Sequence, residues 1–332
     1  MPDELEHSPR ARMAAVEADE PAHSPLGRVA VVGAGAVGCY YGGRLAQHGN
    51  DVRFLMRSDL AEVREHGLKI LSPLGDLTLA VPAYGSTREM EECDLVLIAM
   101  KATSNEFLLE LLPPLLHKDT ALLTLQNGLG NEEFLAAHFG AKRVLGGLCF
   151  VCINRTAPGV VRHIAQGRVS LGEHDRAPGE RARRIAEEFR RCGIECVVEP
   201  SLAAARWKKL VWNIPFNGLA IAEGGKDTAA ILADAALEAR VRALMTEIIT
   251  TARALGHEVP FKLIPDMIER TRTMSRYKPS SLIDFEEGRA VELEAIWGEP
   301  VRRARAAGVA MPLVEELHEQ LRRRISTMNS AA

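Results

Sequence analysis

Residues 28–57 constrain the fold of this chain more than any other stretch. An apolar run from Val29 to Val32 meets Gly33-x-Gly35-x-x-Gly38, a helix-length segment follows, and a second apolar run closes at Arg57. Strand, glycine turn, helix and strand in that order describe the opening unit of a dinucleotide-binding sheet. Gly33 permits the tight turn, Gly35 lets backbone N–H groups approach a pyrophosphate, and Gly38 brings the helix close to the strand. The helix start at Ala36 and Val37 offers unpaired N–H donors and a positive dipole end to phosphate. Without a cofactor, the same glycines would serve only as a structural turn.

The end of the second strand bears on which cofactor. An acidic residue there would bind the ribose 2′-hydroxyl of NAD, whereas this strand ends at Arg57, followed by Ser58 and Asp59. A guanidinium suits a 2′-phosphate, so NADP is the expected cofactor; the alternative is a solvated surface arginine.

Apolar runs continue at 94–100, 119–126 and 143–153, separated by helical segments that include 36–48 and 130–138. That alternation predicts a parallel, doubly wound sheet. Segments 67–72 and 77–82 flank Pro73-Leu-Gly-Asp76 and predict an added hairpin, and a further β-rich stretch over 159–172 precedes a charged amphipathic helix at 179–191. After Pro200 only helical periodicity remains, over 202–214, 235–255, 261–274, 286–307 and 312–326. The expected domains are a nucleotide-binding part over 27–200 and a helical part over 201–327, with the site in the cleft between them. Residues 1–26, rich in Pro, Glu, Asp, Ala and His, predict a disordered tail.

At 332 residues the chain can bury two cores, and a net charge of −3 gives no reason to expect nucleic acid or a membrane surface as partner. No apolar run is long enough to span a bilayer and the N-terminus lacks a signal-peptide core, so a cytoplasmic protein is expected. Cys149-x-x-Cys152 and Cys192-x-x-x-Cys196 could suggest zinc. Residues three apart on a strand face opposite ways, so plain buried thiols and no metal are expected.

Four segments carry candidate chemistry. Lys101 follows an apolar strand in Met-Lys-Ala, and Asn127-Gly128 does the same after the next. In Trp207-Lys-Lys-Leu-Val-Trp-Asn-Ile-Pro-Phe-Asn217, a continuous helix would place Lys209, Asn213 and Asn217 on one stripe. The run Pro279-Ser-Ser-Leu-Ile-Asp-Phe-Glu-Glu-Gly-Arg-Ala-Val-Glu-Leu-Glu294 combines a helix start with an acidic pair. Each alone could be an ordinary turn or a solvated charge.

In this order and combination the segments resemble the ketopantoate reductase (2-dehydropantoate 2-reductase) family, over about 28–326. The resemblance implies a Rossmann-type N-terminal domain and an all-helical C-terminal domain of the 6-phosphogluconate dehydrogenase C-terminal-like kind. It implies NADPH as cofactor, a 2-oxo acid as substrate, and leaves a homodimer open. It further implies Lys209 as general acid, Asn213 and Asn217 as orienting groups, and Ser281 and Glu292 as substrate contacts. Lys101 and Asn127 would hold cofactor or substrate. Two departures stand out: Pro215 predicts a kink before Asn217, and the Ser281-to-Glu292 spacing is one residue short, leaving Glu292, preferred, or Glu294 as the acidic contact. A different branched or aromatic 2-oxo acid is the first alternative, and a non-catalytic NADP-binding sensor the second.

Overall fold

The computed structural model describes residues 25–274 and 276–331. The tail expected over 1–26 therefore lies outside the described residues as far as residue 24, and Leu26 is already packed in the core.

The sheet begins as the apolar runs dictate. Strands β1 (Arg28–Val32) and β2 (Asp51–Leu55) flank helix α1 (Ala36–Gln47). After helix α2 (Leu60–His66) comes the expected hairpin, β3 (Leu68–Leu71) and β4 (Leu77–Leu79), then the short β5 (Ala83–Tyr84) and β6 (Cys93–Ile98). A 3-10 segment and the single turn α3 (Leu108–Leu111) lead to β7 (Leu116–Thr124) and α4 (Asn131–Phe139). Then follow β8 (Val144–Ala157), β9 (Val160–Glu173), α5 (Glu180–Arg191) and β10 (Cys196–Val198).

Strand order is β4-β3-β9-β8-β7-β6-β1-β2-β5, with β10 beside β9. From β5 to β8 every pairing is parallel. Side chains on β1 alternate between two buried layers: Val29 and Val31 pack toward α1, Ala30 and Val32 toward the opposite layer. Burial on both faces is why the strand reads as an unbroken apolar run.

The parallel sheet predicted from sequence is interrupted between β8 and β9, although β9 pairs parallel with β3 and β10 beyond. Strand β8 turns back on itself at Pro158-Gly159, and the tight turn forces antiparallel pairing with β9. Gly159 sits at φ +65°, a conformation that favours glycine. The β8–β9 hairpin thus lies within the sheet, while the β3–β4 hairpin expected from sequence forms one edge.

The remaining chain is helical: α6 (Leu202–Ala222), α7 (Thr228–Ala233), α8 (Ala235–Ala254), α9 (Leu263–Arg272), α10 (Ser280–Glu286), α11 (Glu299–Ala306) and α12 (Pro312–Ala331). Trp207, Phe216, Trp297 and Leu317 anchor their separate core. Two expectations are corrected here. Helix α6 runs through Pro215 to Ala222 rather than stopping at 214; Pro215 is buried, and packing on both sides holds the helix across its missing N–H. The helix expected over 286–307 is broken, because Gly288 takes φ +67° and ends α10. The chain resumes as a π-helical turn, Glu294–Gly298, leading into α11. Among the described residues no helix is long and apolar enough to cross a membrane.

Candidate active site

A cleft of about 1710 Å³ opens at the C-terminal ends of the parallel strands, walled on its far side by α6 and α10. That exceeds the ~300–1000 Å³ typical for one small ligand and leaves room for a dinucleotide with a small acid. Gly33, Gly35, Ala36 and Val37 line it, with Gly38 behind. At Gly33, φ is +102° and a Cβ would lie 2.3 Å from the Met100 nitrogen. A Cβ on Gly38 would lie 2.2 Å from the Gly33 carbonyl oxygen. Gly35 differs: a Cβ there would meet no protein atom within 4 Å. Gly33 and Gly38 are thus demanded by the protein itself. The bare backbone of Gly35, capping α1, faces open space, a cradle that suits a pyrophosphate.

Arg57 is exposed, makes no side-chain hydrogen bond or ion pair among the described residues, and is not among the residues lining the cleft. Neighbouring Asp59 is buried and fully engaged. Its Oδ1 accepts from Ser58 Oγ at 2.7 Å and from Arg155 Nη1 at 2.6 Å, and its Oδ2 accepts from the Gly159 N–H at 3.0 Å.

At the other end of the cleft, Lys209 is half-buried on α6. Its Nζ donates to Asn127 Oδ1 at 2.8 Å and to the Cys149 carbonyl at 2.9 Å, and lies 5.4 Å from the centre of the Phe150 ring. Burial pulls its pKa down to about 8, with the nearby Arg206 guanidinium pushing the same way and Glu292 opposing. Asn213 lines the cleft along the same stripe. Asn217 donates from Nδ2 to the Asn213 carbonyl at 3.0 Å, and its Oδ1 accepts from the Ser281 N–H at 3.0 Å. Because α6 is continuous, the stripe expected from sequence survives Pro215.

Glu292 lies on the irregular stretch after Gly288, and that stretch lets its Oε1 accept from the Ala102 N–H at 2.9 Å. Burial raises its carboxyl pKa, while Lys101 and the Ala102 N–H oppose the rise. Glu294 leaves the site, pairing with Arg302 and His318. Of the two glutamates, only Glu292 joins the constellation. Lys101 pairs with Asp284 of α10, whose other oxygen accepts from Arg289 Nε at 3.0 Å. Ser281 is buried, and the serine on the cleft wall is Ser280. The helical turn of α10 points the earlier residue outward.

Comparison with known proteins agrees with this geometry. Residues 29–176 match the family model described as "Ketopantoate reductase PanE/ApbA", and residues 201–324 match "Ketopantoate reductase PanE/ApbA C terminal". The chain belongs to the ketopantoate reductase family. It is 39% identical to a 2-dehydropantoate 2-reductase of Nostoc sp., over 88% of this chain and 93% of that protein. A solved 2-dehydropantoate 2-reductase from Geobacter metallireducens GS-15 superposes with a TM-score of 0.87 at 44% identity, covering 89% of this chain and 99% of that one. Another, from Methylococcus capsulatus, gives 0.84 at 35% identity, over 91% and 97%. The chain is therefore an oxidoreductase, of a family that works with a nicotinamide cofactor.

Within this member of the ketopantoate reductase family, some residues at the site were not singled out from sequence. Asp284 carries a readable signal, since it lies four residues after Ser280 and so on the same helix face. Arg206 forms a buried ion pair with Glu132 and donates from Nη1 to the Gln126 carbonyl at 2.7 Å, which fixes the turn presenting Asn127. Gly128, at φ +83°, lets that turn press on the π-helical segment, where the Leu129 N–H donates to the Ala295 carbonyl at 2.9 Å. Arg155 has no local signal; it is one residue of a long strand, and only the hairpin's placement brings it to Asp59.

Proposed function

We propose that this protein reduces 2-dehydropantoate (ketopantoate) to pantoate with NADPH, a step of pantothenate biosynthesis. The observation that carries the proposal is Lys209, tethered by two acceptors and facing the same cleft as Glu292 and the open backbone at Gly35.

An ammonium has three N–H donors. Asn127 Oδ1 and the Cys149 carbonyl take two of them, so the third is free for a substrate oxygen. Lys209 holds its proton at Nζ and delivers it to the ketone oxygen as negative charge develops there, acting as general acid and electrostatic stabiliser. With a pKa of about 8 it is still mostly charged at neutral pH, yet gives up the proton more readily than an ordinary lysine. The nicotinamide, when bound, supplies the hydride. Asn213 and Asn217 orient substrate and lysine from the same helix. The Ser280 hydroxyl and the Ser281 backbone stand near the substrate carboxylate, and Glu292 accepts from the distal hydroxyl. Lys101 and Asn127 hold the cofactor side of the cleft, Gly33 to Gly38 the pyrophosphate, and Arg57 the 2′-phosphate.

The alternative of another branched or aromatic 2-oxo acid draws on the altered Asn213–Phe216 segment. A sensor has no use for a tethered lysine in a substrate-sized cleft. A rate panel tests the proposal. Ketopantoate should be reduced with kcat/KM at least ~10²-fold above 2-oxoisovalerate, which lacks the hydroxymethyl group, and Glu292→Ala should erase most of that gap. If 2-oxoisovalerate or phenylpyruvate outruns ketopantoate, the pantothenate assignment fails and the reductase chemistry stands.

A further inference from the structure

Strand β2 is followed by Arg57-Ser58-Asp59, which sets a cation and a carboxylate side by side at the corner where a dinucleotide's adenosine ribose would be recognised. The two favour opposite cofactors. A free carboxylate accepts from a ribose 2′-hydroxyl and repels a 2′-phosphate, whereas a guanidinium attracts the phosphate.

In the folded chain the conflict is resolved from outside this segment. Asp59 is only 6% exposed, and three donors saturate it: Ser58 Oγ and Arg155 Nη1 on one oxygen, the Gly159 N–H on the other. Arg155 and Gly159 both belong to the far end of the β8–β9 hairpin, about a hundred residues along the chain. The hairpin is held in place independently. The Lys69 N–H donates to the Gly159 carbonyl at 2.9 Å, and Gly159 lies against Val63 and Glu62 of α2. Arg155 also donates to Ser58 Oγ at 3.2 Å, its side chain is 45% exposed, and it lines the cleft. Cys39, on the first turns of α1, feels the charges of both Asp59 and Arg155, so the pair sits beside the fingerprint helix. Arg57 is left exposed with no carboxylate partner among the described residues.

We infer that Arg155 is a specificity-determining residue of the cofactor site: it pins and neutralises Asp59, so that the corner presents net positive charge and accepts a 2′-phosphate. The inference rests on the NADPH reading above and adds a residue that the strand-end fingerprint does not contain. It also predicts a hierarchy. Loss of Arg155 harms phosphate recognition because it releases Asp59, so removal of the Asp59 charge should repair the damage.

Calorimetric titration of the purified protein with adenosine 2′,5′-bisphosphate and with AMP isolates the 2′-phosphate from the chemistry. Wild type should bind the bisphosphate more tightly. Arg155→Ala should weaken the bisphosphate about tenfold to a hundredfold, as for an unneutralised carboxylate left beside the phosphate, while leaving AMP unchanged. Asp59→Asn combined with Arg155→Ala should restore most of the lost preference. Equal weakening of both ligands would mean that Arg155 merely supports the hairpin, and would overturn the inference. So would a double variant no better than Arg155→Ala, or an Arg155→Ala protein with its preference intact. A wild type that does not distinguish the two ligands would overturn the NADPH reading itself, and the inference with it.

Discussion

Replacing Lys209 tests the centre of the proposed mechanism, and the structure sets the size and shape of the effect. Nζ is held by Asn127 Oδ1 and the Cys149 carbonyl, and its pKa stands at about 8 rather than 10.5, chiefly because the group is buried. At about 1.4 kcal/mol per pH unit, that burial disfavours the charged form by roughly 3 kcal/mol. Reduction needs the charged form. The kcat/KM for ketopantoate should therefore be level below pH 8 and fall about tenfold per pH unit above it, where an ordinary lysine would hold the rate to about pH 10. Lys209→Ala should lower kcat by about 10²–10⁴, or roughly 3–5 kcal/mol of barrier, and abolish the limb. Lys208→Ala, about 100° round the helix, should be mild.

Stability should move in the opposite direction to activity. The folded value lies below the unfolded one, so the native state sheds this proton first. The penalty is fully present below pH 8 and is relieved as pH rises toward 10.5. The assays are initial rates from pH 6 to 10 and denaturant unfolding across the same range. A rate profile level to pH 9.5, or the same limb surviving in Lys209→Ala, would refute the assignment of the acid. Equal losses for Lys208→Ala and Lys209→Ala would do so as well.

Two further outcomes concern the cofactor. Gly35→Ala should fold with an unchanged melting temperature, since its Cβ meets no protein atom within 4 Å, yet bind NADPH more weakly by tenfold or more; unchanged binding in a titration would show that no phosphate lies against that backbone. Arg57→Ala should weaken NADPH binding by about 1–3 kcal/mol and leave NADH nearly untouched, as fluorescence titration of both would reveal; equal affinity of the wild type for both would remove the role given to Arg57.

Sequence alone determined those parts of this protein whose causes are local. The strand–glycine–helix unit at 28–57 is legible because a tight turn and a close helix approach each demand glycine at a fixed offset. The stripe of Lys209, Asn213 and Asn217 is legible because helical spacing follows from the chain itself. Tertiary structure decided what depends on partners far along the chain. Packing around Pro215 kept α6 continuous where its own propensity argued for a break, and a two-residue turn reversed β9 within a sheet whose apolar runs looked uniformly parallel. Gly288 ended α10, freeing Glu292 to reach the Ala102 N–H and sending Glu294 to the surface. The exposure of Ser280 and the burial of Ser281 follow from the pitch of that helix. The pairing of Arg155 with Asp59 had no trace in either segment, because a carboxylate and a guanidinium so far apart in the chain become partners only when the hairpin is folded against β3 and α2.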